Sequence, residues 1–363
     1  DDFIRTTEPR HAKVVQAILA DLFAKNEIYK ASYEGDYCVQ CERFYTEKEM
    51  DEKRPGICPT HETKLQRIQE ENYFFRMSRY QDYLRKKIES EPDFINPPQF
   101  ANEVLGILRD PLEDLCISRP KARLPWGIEI PFDPNYVVYV WFDALVNYIS
   151  ALGYPDGELY EEFWPAANHV IGKDILRPHA VYWPTMLKAM GIPCYDQLHV
   201  HGYWQSGGKK MSKTLGNVVD PVAMAEKYGP DALRYFILRE MTIGSDGDFT
   251  EQALIKRYNS DLANDLGNLV SRVIAMVQRN FEGKIPTPGE LSDADVSLLG
   301  EFDLVREAIP PQLERLRLSE MIETILQAVR SVNRYVDYNR PWDLAKKDQA
   351  RLATVLHVSA RAA

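Results

Sequence analysis

Lys209, Lys210 and Lys213 fall within five residues, between Gly207-Gly208 on one side and Gly216 on the other. Ammonium groups on long, flexible stems are mobile point charges suited to phosphate oxygens. Glycines open backbone geometries that bring a loop close to a ligand. The glycine spacing of a P-loop is absent, so a phosphate device here is of another kind, and a solvated basic loop is the alternative on composition alone. A second constellation joins Cys38 and Cys41, spaced C-x2-C, to Cys58 and His61, spaced C-x2-H, with sixteen residues between the pairs. Two such knuckles can close a tetrahedral thiolate and imidazole site around one Zn2+. Unrelated cysteines or a redox C-x-x-C pair are the alternatives, and the second pair favours the metal. Four protein ligands leave no open position, so the zinc is expected to be structural.

These groups need elements to hold them. Val14, Val15, Ile18, Leu19, Leu22 and Phe23 form a helical apolar stripe over 8–30, followed by a strand-like Ile28-Tyr29. Asn72 to Met77 reads as a strand and Tyr80 to Ile88 as an amphipathic helix. Ile117-Ser118-Arg119-Pro120 places Arg119 at the end of an apolar run, where a surface salt bridge is the default. Tyr136 to Phe142 is an unbroken β-branched and aromatic run, the pattern of a strand buried on both faces in a parallel sheet, with Asp143 as cap of the next helix. His169 to Asp174 reads as a strand into a tight turn, and Leu198 to Tyr203 as a third strand leading to the lysines. This strand–helix alternation predicts a parallel α/β sheet with ligands at the strands' carboxyl ends, where Trp141, Gly172, Asp174 and His201 fall.

On the helix after Gly172-Lys173-Asp174, the residues Ile175, His179 and Trp183 share one face at i, i+4 and i+8. Such residues are most often core; their place beside a strand end moves them toward a ligand pocket. Pro178 and Pro184 predict a kink or a displaced first turn. One helix is expected from Pro221 to Arg239. Beyond Glu251 the pattern is helical over 256–281, 292–310, 312–339 and 348–360, a bundle with a corner at Arg340-Pro341-Trp342.

Length and charge set the bounds. A chain of 363 residues is long enough for two or three domains. No apolar run approaches the ~20 residues that cross a bilayer, so no membrane partner is expected. A net charge of −10 argues against coating nucleic acid through overall positive charge; an RNA partner would need a local patch. Five cysteines, an odd number without a secretory signal, fit a reducing cytoplasm.

The ordered set Cys38-x2-Cys41 with Cys58-x2-His61, Val140-Trp141-Phe142-Asp143-Ala144, Ile171-Gly172-Lys173-Asp174, Lys210-Met211-Ser212-Lys213-Thr214 and a terminal helix bundle resembles the methionyl-tRNA synthetase family of class I aminoacyl-tRNA synthetases. The likeness covers essentially the whole chain. It implies ATP-dependent activation of L-methionine and its transfer to tRNA(Met), with Mg2+ accompanying ATP and Zn2+ in the knuckle. By this resemblance Trp141, Ala144, Tyr148, Ile175, His179 and Trp183 surround the methionine side chain. Aromatic walls suit a polarizable thioether, and a small Ala leaves it room. The likeness puts Gly172 and Asp174 near the adenosine ribose, Arg119 by the adenylate, and Lys210, Ser212 and Lys213 on the triphosphate, Lys213 carrying most. Asn268, Arg272 and Trp342 resemble anticodon readers, which stack on and hydrogen-bond loop bases. A solvated helix face is the alternative for Asn268 and Arg272, and a core plug for Trp342.

The implied organisation is a Rossmann-like catalytic domain at 1–32 and 119–206, an insertion at 33–118 holding the knuckle at 38–61, a lysine-loop and stem-contact region at 207–255, and a helical anticodon-binding domain at 256–363. Three departures stand out. Thr214 replaces a usual Ser, and His61 stands where many members have Cys. The family's His-Ile-Gly-His motif is absent, as is the first strand. The chain is therefore expected to hold half of an active site, with the N-terminal half supplied in cis or in trans, and to be inactive alone. A non-catalytic tRNA-binding module and another class I synthetase, such as a cysteinyl enzyme, are the rival readings.

Overall fold

The computed structural model describes residues 2–40, 43–45, 50, 54–211 and 216–362. The chain divides into two compact units, Asp1–Leu198 and His199–Ala363. In the first, the expected apolar stripe forms the helix Pro9–Ala24, which buries Val15, Ile18, Leu19 and Leu22. Proline at its first position suits a helix start, where a backbone N–H has no intrahelical acceptor. The strand that follows is longer than Ile28-Tyr29: Ile28–Cys38 pairs antiparallel with Gln66–Phe75 over ten residues, from Ile28 opposite Phe75 to Tyr37 opposite Gln66. Arg43–Tyr45 pairs on its other side, Cys38 opposite Arg43. This ribbon delivers Cys38 to a turn beside Cys58.

The run Tyr136–Phe142 does not form one parallel strand. The strand Asp133–Val138 stops at Val138 and runs antiparallel to Ser118–Pro120 and to Glu129–Ile130. From Val140 to Leu145 the chain is helical, with Tyr139 at the N-cap position and no side-chain cap. Phe142 and Leu145 are buried while Val140 is exposed. Apolar residues three apart satisfy a helix as well as a strand, and an unbroken apolar run cannot separate the two. Asp143 is therefore inside the helix, and Trp141 projects from it. A short helix, Asn147–Ser150, continues the turn.

The strand Asn168–Gly172 leads into a 3-10 turn, Lys173–Ile175. The prolines act as expected, through an unusual device. Pro178–Tyr182 is a π-helical segment and Trp183–Met190 an α-helix, so Pro178 and Pro184 each sit in a first turn. The strand Gln197–His201, in which the boundary between the units falls, lies between Ile95–Asn96 and Asn168–Gly172 in sheet order.

In the second unit Trp204–Ser206 and Lys209–Lys210 form a hairpin, Ser206 opposite Lys209. Its two-residue loop has φ of +62° at Gly207 and +70° at Gly208, both positive as a type I′ turn requires. The glycines thus set a tight turn just before the lysine stretch. The expected helix from Pro221 to Arg239 is two, Pro221–Tyr228 and Pro230–Glu240, because Gly229 at φ +88° breaks it. Asp220 caps the first with bonds from the N–H groups of Val222 and Ala223. The expected break near 311 is absent: Asp293–Glu314 is one helix with Pro310 and Pro311 inside it. The helices Asn268–Phe281, Asp293–Glu314, Leu318–Asn339 and Gln349–Ala362 meet in a core of Leu269, Val273, Leu298, Val332, Val336 and Leu356.

Candidate functional site

The first unit holds a largely buried aromatic wall built from four short segments. His179, 3% exposed, puts Nδ1 2.9 Å from the Ile175 carbonyl and Nε2 2.7 Å from the Tyr148 hydroxyl. A carbonyl only accepts, so Nδ1 carries the proton and Nε2 accepts from Tyr148. Burial lowers the His179 pKa and raises that of Tyr148, which keeps both groups neutral. The Trp183 indole N–H donates to His169 Nε2 at 3.2 Å. Burial first, and then the nearby His179, pushes His169 down to about 3. The Tyr148 ring lies 4.2 Å from His169 and 6.2 Å from Trp183, and Tyr195 lies 4.3 Å from His169. The result is an uncharged, polarizable surface whose polar atoms are satisfied internally, suited to a neutral apolar ligand group.

The structure thus brings Tyr148, Ile175, His179 and Trp183 together, although Trp183 itself is fully buried and forms the layer behind the wall. Trp141 and Ala144 are half-buried on the neighbouring helix. Gly172 starts the 3-10 turn and Asp174 is exposed on it. Sequence reasoning missed His169 and Tyr195. The strand Asn168–Gly172 alternates in burial, with His169 and Ile171 inward and Val170 61% exposed. That period-2 pattern was the available signal for His169.

Arg119 is not on the surface. It is 3% exposed, donates to the Ser118 carbonyl at 2.7 Å and stacks 4.0 Å over the Tyr139 ring. The default surface salt bridge is thereby replaced by a buried cation–π contact. Its open side borders a groove of about 310 Å³ lined by Tyr37, Val39, Gln66, Ile68, Arg123 and Leu124.

Cys38 Sγ, Cys58 Sγ and a ring nitrogen of His61 lie within 4.8 Å of one another. Burial opposes ionisation of Cys58, but hydrogen bonds from the Tyr45 hydroxyl and from the His61 and Thr60 backbone lower its pKa to about 5. A thiolate is what a metal ligand must be. Cys41 lies outside the described residues, so the fourth ligand of the expected set is not seen.

In the second unit, Lys209 and Lys210 are exposed on the hairpin. The Lys210 ammonium sits 5.8 Å from the Tyr203 ring centroid, and its carbonyl accepts from Asn217 Nδ2 at 3.1 Å. Met211 packs against the cluster of Leu233, Phe236, Phe249 and Leu254. This half-buried thioether gives the stretch an apolar contact where sequence reading attended only to its charges. Ser212, Lys213 and Thr214 lie outside the described residues.

Asn268, exposed, opens the helix Asn268–Phe281 directly after the π-helical segment Tyr258–Gly267. Arg272, one turn on, donates to Asp337 at 2.6 Å and lies 5.9 Å from the Trp342 ring centroid. Trp342 is 44% exposed, so it is no core plug. Arg340 at φ +47° turns the chain sharply before Pro341 and leaves the indole outside the bundle.

The chain matches the family model described as tRNA synthetases class I (M) at residues 1–69 and 57–274. The methionine–tRNA ligase of Caldanaerobacter subterraneus subsp. tengcongensis is 44% identical over 361 residues, spanning 98% of this chain and 56% of that protein. That of Brucella suis biovar 1 is 44% identical over 362 residues, spanning 99% of this chain and 70% of that protein. The structure of Mycobacterium tuberculosis methionyl-tRNA synthetase in complex with methionyl-adenylate superposes with a TM-score of 0.90 at 40% identity, covering 100% of this chain and 72% of that one. The chain spans little more than half the length of several curated relatives that it matches.

Proposed function

The chain belongs to the class I tRNA synthetase (M) family, and from that premise we propose that it carries the methionine pocket, the lysine loop and the anticodon-reading helices of a methionine–tRNA ligase. The observation that carries the reading is the neutral aromatic wall of Tyr148 and His179, backed by Trp183, with both ring nitrogens of His179 satisfied. A buried ring surface of this kind favours a polarizable thioether through dispersion, and it offers no charge to a polar side chain.

In the proposed reaction the methionine carboxylate attacks the α-phosphate of ATP, which Mg2+ accompanies. A P–O bond forms to the carboxylate as the bond to pyrophosphate breaks, giving methionyl-adenylate. A hydroxyl of the terminal ribose of tRNA(Met) then attacks the methionyl carbonyl, forming an ester as the carbonyl–phosphate bond breaks and AMP leaves. Trp141, Ala144, Tyr148, Ile175 and His179 bind and orient the side chain, with Trp183 backing them. Gly172 and Asp174 meet the ribose, and Arg119 supports the adenylate region. Lys210 and Lys213 neutralise charge on the departing pyrophosphate while Ser212 binds the triphosphate, which is electrostatic stabilisation without a covalent enzyme intermediate. Asn268, Arg272 and Trp342 read single-stranded bases of the anticodon. The donor set of Cys38, Cys58 and His61, completed by Cys41, fits Zn2+, which would tie the end of the long ribbon together and perform no chemistry.

Methionine-dependent ATP–pyrophosphate exchange tests this reading, on the chain alone and joined to the further sequence its relatives carry. Exchange only in the joined protein, lost on Lys213→Ala, supports a partial site that needs the His-Ile-Gly-His half. Exchange by the chain alone would refute that division. The exposed Trp342 beside Arg272 favours one other reading, a tRNA-binding module without catalysis. Anticodon stem-loop binding with no exchange in either form would establish it.

A further inference from the structure

The helices that bear Trp141, Ala144 and Tyr148 are six and four residues long, Val140–Leu145 and Asn147–Ser150. Neither can hold itself, because isolated helices shorter than about a dozen residues are marginal in water. Something outside them must fix the wall they present.

His11 does this from the helix Pro9–Ala24. Its side chain is completely buried. Nε2 lies 2.6 Å from Asp143 Oδ1, on the first short helix, and Nδ1 lies 2.8 Å from Ser150 Oγ, on the second. A carboxylate only accepts, so Nε2–H donates to Asp143. One imidazole thus bridges both short helices with both nitrogens committed. Asp143 sits between Trp141 and Ala144 in sequence, and Ser150 follows Tyr148 by two residues. The Asn147 side-chain amide also donates to the Ala144 carbonyl, which closes the joint between the helices.

Serine, histidine and carboxylate in a row suggest a nucleophile, but the geometry rejects it. Ser150 is 3% exposed and its hydroxyl is also within 3.3 Å of the Asn147 carbonyl. No substrate reaches it. We infer that His11 is a positioning residue of the methionine pocket, holding Asp143 and Ser150 together so that Trp141, Ala144 and Tyr148 keep one arrangement. This rests on the reading of that wall as the methionine site.

The test is the pair of Michaelis constants in ATP–pyrophosphate exchange, measured on the chain joined to the further sequence of its relatives. His11→Ala should raise KM for methionine about tenfold while KM for ATP stays within twofold, because misplaced binding groups weaken only the ligand they touch. His11→Gln, whose amide nitrogen falls near the Nε2 position, should recover most of that loss. His11→Asn, which reaches only toward Ser150, should not. Should His11→Ala fail to fold, Ser150→Ala removes one arm alone and should raise methionine KM two- to fourfold. A folded His11→Ala protein, or a Ser150→Ala protein in its place, with unchanged methionine KM overturns the inference and leaves the pocket reading standing. A parallel rise in both constants also overturns it. A parent protein with no methionine-dependent exchange overturns both.

Discussion

Replacing Asp295 by Asn should destabilise the helical unit by more than its single lost charge suggests. Asp295 is fully buried, and its carboxylate accepts from Tyr335 Oη at 2.5 Å, from both terminal nitrogens of Arg351, Nη2 at 2.8 Å, and from the Ser292 backbone N–H at 2.9 Å. With the Ser292 side chain it completes a capping box on Asp293–Glu314. Asn keeps one acceptor oxygen and turns an NH2 toward donors. Loss of the capping bond costs about 1 kcal/mol. Loss of charge-assisted bonds to a partly buried Arg351 adds about 1.5–3 kcal/mol, so roughly 2.5–4 kcal/mol is expected in all. In a unit of this size that lowers Tm by roughly 5–15 °C. The pH dependence gives a second reading. Burial works against the charged form, but the bonds from Arg351 and Tyr335 hold the folded carboxyl well below its ordinary value. Its contribution is therefore complete above the unfolded pKa of about 4 and is lost as pH falls below it, because the unfolded chain takes up the proton first. Urea denaturation followed by circular dichroism should show a constant gap between the parent and Asp295→Asn proteins above about pH 5, shrinking as pH falls from about 4 toward about 2. A loss under about 0.5 kcal/mol at pH 7, below the worth of a typical single hydrogen bond, would refute the reasoning, and so would a difference that does not shrink in acid. Function should follow, because Arg351 also donates to Asn339 Oδ1 at 2.9 Å. Asn339 is the last helical residue before the corner that exposes Trp342.

Tyr148→Phe leaves buried His179 Nε2 without its 2.7 Å partner, an unmet polar atom worth about 1–3 kcal/mol; methionine KM should rise roughly tenfold or more by exchange kinetics, with ATP little affected. Zinc analysis of the purified protein should find one metal per chain, and Cys58→Ser should lose it and loosen the ribbon end, seen as faster proteolysis near residue 58; full zinc occupancy in that variant would refute the donor set. Trp342→Ala should weaken binding of an anticodon stem-loop by roughly tenfold, from about 1–3 kcal/mol per stacked base. Arg272→Ala should weaken it as well, and a stem-loop that binds both variants as tightly as the parent would remove these residues from the interface.

What the sequence made legible, and what it hid, divides along physical lines. The apolar stripe of Pro9–Ala24 read correctly as a helix, and Cys38, Cys58 and His61 of the expected knuckles come together, because both signals are local, a period or a spacing. The run Tyr136–Phe142 misled because seven consecutive apolar residues carry no period, and the break after Val138 is decided by what packs against Phe142 and Leu145. Gly229 was in plain view as a helix breaker, yet the flanking apolar spacing outvoted it. Pro310 and Pro311 erred the other way, tolerated in a helix whose flanks are held by the bundle.

The site residues divide on a different axis. Those proposed to touch methionine cluster in short stretches, so that Trp141, Ala144 and Tyr148 could be picked out together, as could Ile175, His179 and Trp183. The residues that hold them are far away in sequence: His11 lies 132 residues from Asp143 and 139 from Ser150. No spacing rule reaches across that distance. A helical histidine on an otherwise apolar face reads as core, which His11 is. Its role becomes visible only when each ring nitrogen is asked for its partner, because a fully buried imidazole must have both satisfied. Here the two partners sit on helices of six and four residues, which have little stability of their own. The motif supplies the chemistry of the wall, and a residue outside every motif supplies its shape.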